Sequence, residues 1–249
     1  MQKSIVQAAI IVIGNEVLSG RTQDLNLNFL AKHLGDIGVR VMEARVIPDV
    51  ETVIIETVNT LRSAYDYVFT TGGIGPTHDD ITSGCIAKAF DVKLIRHPEA
   101  DKILRAYYKP EDINEARMKM ADTPEGATLI PNRISAAPGF KMENVYVMAG
   151  VPRIMQAMFD EIKPELQGGV VVQSREIASY VLEGNIAAAL GNIQSKYAEV
   201  DIGSYPFIKG QKLGTSLVLR SGNIATLEKA YEEVKALVVS MKVEIISQS

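Results

Sequence analysis

The residues best equipped for chemistry sit in one stretch, Thr70-Thr71-Gly72-Gly73-Ile74-Gly75-Pro76-Thr77-His78-Asp79-Asp80-Ile81-Thr82. Gly72, Gly73 and Gly75 let a backbone turn sharply and approach a ligand with no Cβ in the way. The run Tyr65–Phe69 before them reads as a strand, and Ile81, Ile86, Ala89 and Phe90 after them recur at helical spacing. A strand, a glycine loop and a helix start, in that order, favour an anion such as phosphate held by backbone N–H groups. Thr71, Pro76, Thr77 and His78 complete the loop that would face it. Asp79 and Asp80 set two carboxylates beside that anion, which makes sense with a divalent cation between them. The same acids also suit a helix N-terminus, and Thr77-x-x-Asp80 fits a capping box, a purely structural role.

Other elements must position this loop. Ala8–Ile13 reads as a first strand leading into the loop Gly14-Asn15-Glu16-Val17-Leu18-Ser19-Gly20. Asp24 can cap a helix with the stripe Leu25, Phe29, Leu30 and Leu34, ended by Gly38. Val39–Ile47 reads as a second strand, and Pro48-Asp49 opens a helix through Val53, Val58 and Leu61. Further on, a strand over 92–95, helices over 99–107 and 113–121, and a strand over 127–130 are expected. A strand pair over 138–141 and 144–148 follows, and Pro152 opens a helix to about residue 165. This alternation predicts a three-layer α/β/α fold around a mostly parallel sheet. In such a sheet the loops following the strands gather on one edge, where ligands bind. Gly14, Asn15, Gly150 and Pro152 should therefore join the glycine loop, with Asp49 pointing to the same edge. Asp49 and Glu16 are the alternatives for a group that orients or deprotonates a water, beside Asp80.

Beyond Gln167-Gly168-Gly169, strands over 170–182, 200–206, 215–220 and 243–246 alternate with helices over 186–197 and 227–239. That β-α-β-β-α-β order predicts a small split-βαβ α+β domain over 169–249, after a first domain over 1–168.

Of the 249 residues, 47% are hydrophobic and 22% charged, the makeup of a globular protein with ample core. A net charge of −4 and a pI near 5.5 argue against nucleic acid as a partner. Gly210-Gln211-Lys212-Leu213-Gly214, between the two central strands of the second domain, lacks the Gly-x-x-Gly spacing of an RNA-clamping loop. No apolar run is long enough to span a bilayer, so no membrane partner is expected. The single Cys85 rules out an intrachain disulfide and suits a reducing, cytoplasmic setting as a buried, inert thiol. His33, His78 and His97 show no zinc-type spacing, and no P-loop pattern occurs.

The stretch from Thr70 to Thr82 resembles the signature of the molybdopterin-binding MoaB/MogA superfamily, in the version of its CinA-like branch (competence/damage-inducible protein A). Ile13-Gly-Asn-Glu-Val-Leu-Ser-Gly20 with Asp24 and Asn26, Ala137-Pro-Gly-Phe140, and Gly150-Val-Pro152 carry the same resemblance, over roughly residues 4–168. It implies a three-layer fold with a pocket for a small-molecule nucleotide or pterin ligand. It further implies hydrolysis of ADP-ribose or FAD at the pyrophosphate, with a divalent metal (cobalt, the favoured ion of that branch, or magnesium) and help from potassium. The alternatives within the superfamily are molybdopterin binding and molybdopterin adenylyl transfer. The family's acidic positions fall on Asp49 and Asp80, with Asp79 the extra carboxylate of the CinA-type motif. A homo-oligomer, first of all a dimer, is the implied assembly. The second domain resembles the KH-like middle domain of CinA proteins, with a packing or dimerisation role. The amidase domain that commonly follows it has no counterpart in these residues, and Ser135-Ala136 stands where many members have Gly-Thr.

Overall fold

The computed structural model describes residues 5–248. By backbone contacts the chain divides into one compact unit ending at Gly169 and another beginning at Val170. In chain order the first holds β1 (Val6–Ile13), α1 (Asn15–Leu18), α2 (Asn26–Gly35), β2 (Val39–Ile47), α3 (Glu51–Ala64), β3 (Tyr67–Thr71) and α4 (Thr82–Ala89). It continues with β4 (Leu94–Arg96), α5 (Pro98–Tyr107), α6 (Glu115–Met118), β5 (Asp122–Pro124), β6 (Thr128–Ile130), β7 (Gly139–Met142), β8 (Val145–Met148) and α7 (Pro152–Ile162).

Six of these strands form one sheet in the order β2-β1-β3-β8-β7-β6. The first four run parallel, and β7 and β6 are antiparallel to their neighbours. Successive side chains of a strand point to opposite faces. Ile10 and Val12 therefore pack on one side with Leu30 and Leu34 of α2 and Phe159 of α7. Ile11 and Ile13 pack on the other with Ile54 and Val58 of α3 and Ile86 of α4. Helices cover both faces, which is why β1 is apolar almost throughout. The fold is the expected three-layer α/β/α arrangement.

Several boundaries differ from the sequence reading. The third strand covers Tyr67–Thr71, because Tyr65 still closes α3 by donating to the Leu61 carbonyl at 3.0 Å. Thr70 and Thr71 are thus strand residues. The helix expected over 113–121 shortens to α6 and a single 3-10 turn, Lys119–Ala121. Asn114 caps its start, its side chain accepting from Arg117 N at 2.9 Å, and the chain then leaves for β5, which pairs with β4. The helix opened by Pro152 ends as α-helix at Ile162, and a 3-10 turn containing Pro164 follows.

The second unit comprises β9 (Gln173–Ser179), α8 (Glu183–Lys196), β10 (Asp201–Lys209), β11 (Lys212–Ser221), α9 (Ile224–Ser240) and β12 (Ile245–Gln248). Its antiparallel sheet has the order β10-β11-β9-β12, and its core gathers Ile177, Ile186, Leu217, Leu219, Leu227 and Val234. The first strand is shorter than 170–182 because the ladder to β11 starts only at Gln173. The last begins at Ile245, after Lys242 turns the chain with φ 54°. The segment Gly210–Gly214 joins the edge strand β10 to the central β11, and does not lie between two central strands. Gly210 makes the turn at φ +64°, whereas a Cβ on Gly214 would stand 2.6 Å from the Ser179 carbonyl oxygen and collide with the Phe207 ring.

Candidate functional site

All four parallel strands deliver their following loops to one cavity of about 490 Å³. β1 brings Gly14 and Glu16, β2 brings Asp49, β3 brings Gly72 to Asp80, and β8 brings Gly150 to Pro152. The loops are tied to one another directly. Gly14 N donates to the Ile47 carbonyl at 3.1 Å, Asn15 N to Asp49 Oδ2 at 2.9 Å, and Gly72 N to the Met148 carbonyl at 3.1 Å. Gly72 has φ +105°, and a Cβ there would lie 2.1 Å from the Ile13 carbonyl oxygen, so only glycine fits. A Cβ on Gly150 would in turn sit 3.3 Å from the Gly72 Cα.

The acidic end of the glycine loop is organised by Thr77. Its hydroxyl lies 2.6 Å from Asp79 Oδ1 and 2.5 Å from Asp80 Oδ2, and its backbone N–H donates to Asp80 Oδ2 at 2.8 Å. Lys119 donates to the Thr77 carbonyl at 2.6 Å from the other side. The Thr77 hydroxyl, with Asp79's own backbone N–H, holds the Asp79 carboxyl below the usual carboxylate range. The capping-box expectation needs correction. Thr77 and Asp80 do bond to each other, but in the turn ahead of α4, whose N-cap residue is Ile81 with no side-chain cap. Helix and loop are joined instead by Thr82, whose N–H donates to the Gly73 carbonyl at 2.9 Å and whose hydroxyl donates to that of Gly72 at 3.1 Å.

Four carboxylates, from Glu16, Asp49, Asp79 and Asp80, line this cavity, and none of its described lining residues is Lys, Arg or His. Such a wall repels an anion, and a bound cation would offset that repulsion. Among the described residues no group of three or more His, Cys, Asp or Glu side chains forms a metal cage. The Asp79 and Asp80 carboxylates converging on one hydroxyl do fit a hard divalent ion, which takes one or two carboxylates and fills its remaining positions with water and ligand oxygens.

Of the residues expected at the site, Gly14, Glu16, Asp49, Gly72, Gly73, Gly75, Pro76, Asp79, Asp80, Gly150 and Pro152 line the cavity. Four do not. Asn15 contributes its backbone N–H to Asp49, Thr71 is buried in β3, and the Thr77 hydroxyl is engaged by the two aspartates. The His78 side chain is 99% exposed, with Nδ1 3.9 Å from Asp79 Oδ1. The sequence reading missed Thr22, Met120, Asn132, Ile154 and Met158, while Ser135, which it had singled out beside Ala137-Pro-Gly, does line the cavity. Asn132 organises its own turn, accepting from Ile134 N at 3.0 Å and Ser135 N at 3.2 Å while donating to the Ala137 carbonyl at 2.8 Å. Pro131-Asn132 just ahead of Ala-Pro-Gly was the available signal, since Asn side chains build such turns. Ala136 adopts φ 63° within this turn.

Fold and site together define a molybdopterin-binding-type α/β domain. Residues 9–168 match the family described as "Probable molybdopterin binding domain", and the chain belongs to that family. Residues 171–245 match the family described as "FAD synthase, middle domain". A protein of Archaeoglobus fulgidus is 37% identical over 197 residues, covering 79% of this chain and 84% of its own length. The "Probable FAD synthase" of Caenorhabditis briggsae is 31% identical across 93% of this chain, which spans only 49% of that relative. Among solved structures, CinA from Thermoplasma acidophilum superposes with a TM-score of 0.62 at 29% identity, over 66% of this chain and 99% of that one. No described helix is long and apolar enough to cross a membrane.

Proposed function

We propose that this chain hydrolyses the pyrophosphate of ADP-ribose or a similar dinucleotide in a metal-dependent reaction. The observation that carries this reading is the cavity wall itself, which combines glycine backbone with four carboxylates and has no Lys, Arg or His among its described lining residues. Backbone N–H groups of Gly73, Ile74 and Gly75 hold the diphosphate, and the pocket's apolar residues Ile154 and Met158 exclude water around the ligand. Asp79 and Asp80 hold the divalent ion, which when bound offsets the developing phosphate charge and lowers the pKa of a water. Their oxygen-only donor set favours magnesium over cobalt. Asp49 is already engaged by Asn15 N–H, so it fixes the first loop. Glu16 is the general base: it takes a proton from the water that attacks phosphorus, and AMP and ribose 5-phosphate separate. The relatives described as "Probable FAD synthase" in Caenorhabditis briggsae and Caenorhabditis elegans add a dinucleotide to this ligand class.

A second reading is favoured by the family description, molybdopterin binding, with Asp49 and Asp80 accepting hydrogen bonds from a pterin's amino groups. One assay separates the two. Supplied with ADP-ribose and magnesium or cobalt, with and without potassium, the protein should release AMP and ribose 5-phosphate, and Asp80→Ala should abolish that release. Turnover surviving Asp80→Ala overturns the metal role. No turnover of any dinucleotide together with tight pterin binding establishes the second reading, and AMP transfer from ATP to molybdopterin would make the chain an adenylyltransferase. Sedimentation of the same preparation tests the dimer.

A further inference from the structure

In the antiparallel sheet of the second unit, both helices lie on the same side. Ile202 of β10, Leu217 and Leu219 of β11 and Ile177 of β9 pack with α8 and α9, and alternation turns their strand neighbours to the opposite face. That face carries Gly203, Tyr205 and Phe207 from β10, Gly214, Ser216 and Val218 from β11, and Ala178 from β9. No helix among the unit's described residues remains to cover it.

Two glycines keep this face low. Neither Gly203 nor Gly214 has a positive φ, so backbone conformation does not demand glycine at either. A Cβ on Gly203 would stand 2.8 Å from the Tyr205 hydroxyl oxygen, and one on Gly214 would stand 2.7 Å from Phe207 Cε2. Both rings therefore lie down on the sheet, in the places that side chains would otherwise fill. Glycine weakens a strand, and inside one it often marks a close approach by another backbone. The outcome is a level surface of rings, hydroxyl and small aliphatic groups, suited to a second sheet packed about 10 Å away.

Charge runs along the strands. The end at the β10–β11 turn has Lys209 and Lys212, with Glu244 3.6 Å from Lys212 Nζ, two bases against one acid. The other end has Asp201, 3.8 Å from Arg220 Nη1, and Glu176, which accepts from the Ser216 hydroxyl at 2.6 Å, two acids against one base. A twofold axis crossing the strands lays the basic end of one face on the acidic end of the other. A nucleic acid would ask for a face basic throughout.

We propose that two copies of this chain associate through this face, sheet against sheet, about a twofold axis that crosses the strands. The proposal stands apart from the nucleotide reading. Nine residues of β10 at about 3.4 Å each and four strands at about 4.8 Å bound the face at roughly 30 by 19 Å, on the order of 600 Å² per copy. Twice that is the low end for a specific interface, so association is weak and depends on concentration.

Sedimentation of the full chain from about 1 to about 300 μM tests this, with a monomer–dimer midpoint expected in the tens of micromolar. Val218→Arg, in the middle of the face, should weaken dimerisation at least ten-fold. Lys209→Glu makes both ends acidic and Asp201→Lys makes both basic, so each alone should weaken it about five-fold. The two together exchange the ends and should restore the parent's midpoint to within two-fold. Val239→Lys, on the exposed side of α9, should change nothing. Should Val218→Arg fail to fold, the exposed charge variants decide alone. A monomer at every concentration, a dimer that folded Val218→Arg leaves intact, or a double charge variant that stays as weak as the single ones overturns the proposal. Binding of a single-stranded oligonucleotide that Tyr205→Ala abolishes would give the face to base stacking, and also overturns it.

Discussion

The two sheets of this chain use the same residue types to opposite effect. In the parallel sheet β1, β2, β3 and β8 all end at one edge, so their following loops must meet, and Glu16, Asp49, Asp79 and Asp80 meet with them. In the antiparallel sheet of the second unit, neighbouring strands end on opposite edges, and charged groups disperse into local pairs. Arg175 bonds Glu228 at 2.5 Å and Lys196 bonds Glu233 at 2.6 Å. A depression of about 550 Å³ does exist there, between Tyr197 and Glu228 to Ala236, larger than the cavity of the first unit. Two of its three acids, Glu228 and Glu233, each pair one carboxylate oxygen with those bases, and Glu233 Oε2 is buried without a hydrogen-bond partner. Strand direction, more than residue content, decides where chemistry can concentrate.

The largest expected effect tests that contrast at glycines. Gly72→Ala forces a Cβ to 2.1 Å from the Ile13 carbonyl at φ +105°, and should cost more than about 3 kcal/mol in urea unfolding, or prevent folding. Gly210→Ala, at φ +64° in the β10–β11 turn with nothing within 4 Å, should cost only about 1 kcal/mol of backbone strain. Equal costs would mean that the strand-end loops are not mutually locked.

A smaller effect separates chemistry from stability. Asp80→Asn keeps the shape of a side chain that accepts from Thr77 N, so the protein should melt close to the parent while losing turnover by about 100-fold or more. Glu233→Gln, which breaks the Lys196–Glu233 pair between α8 and α9 in the second unit, should leave turnover untouched. If Glu233→Gln slowed the reaction as much as Asp80→Asn, the acidic edge of the first unit would not be the reactive one.

Much of this contrast was legible in the sequence. Strands covered on both faces read as apolar runs, as in Ala8–Ile13 and Val145–Met148, and fixing their order fixed the edge at which Gly14, Asp49, Gly72 and Gly150 meet. What escaped was carried by short or irregular pieces. The strand expected over 92–95 is found as β4, but its partner β5 has three residues, too few for a period, and the excursion containing it delivers Met120 to the cavity and Lys119 to the glycine loop. Asn132 acts through a side-chain turn, which spacing does not encode. Spacing was equally silent on direction: Thr77 faces the aspartates, Thr71 faces the interior and His78 faces solvent, though all three belong to the same motif.

The smallest effect is a pair of pH responses on either side of Thr82, both in the first unit. Burial first, and then the Glu51 carboxylate, pushes the Cys85 thiol up from 9.0 to about 11. The folded chain therefore holds that proton more tightly than the unfolded chain. Its stabilising contribution is present in full below pH 9.0 and fades as pH rises through about 11. Asp79 has the opposite sign. Its carboxyl is held below the ordinary value of 3.8 by Thr77, so its contribution is present above that pH and fades as pH falls through the folded value. Cys85→Ala should flatten the alkaline limb of a stability–pH profile and leave the acid limb alone, and Asp79→Asn should do the reverse. Urea midpoints measured from acid to alkaline pH check both, and two unchanged limbs would show that neither group differs between the folded and unfolded chain. The thiol gives a second readout. At pH 8 it is almost wholly protonated and buried, so a thiol-reactive probe should label Cys85 only at the rate of local opening, with added urea speeding the reaction.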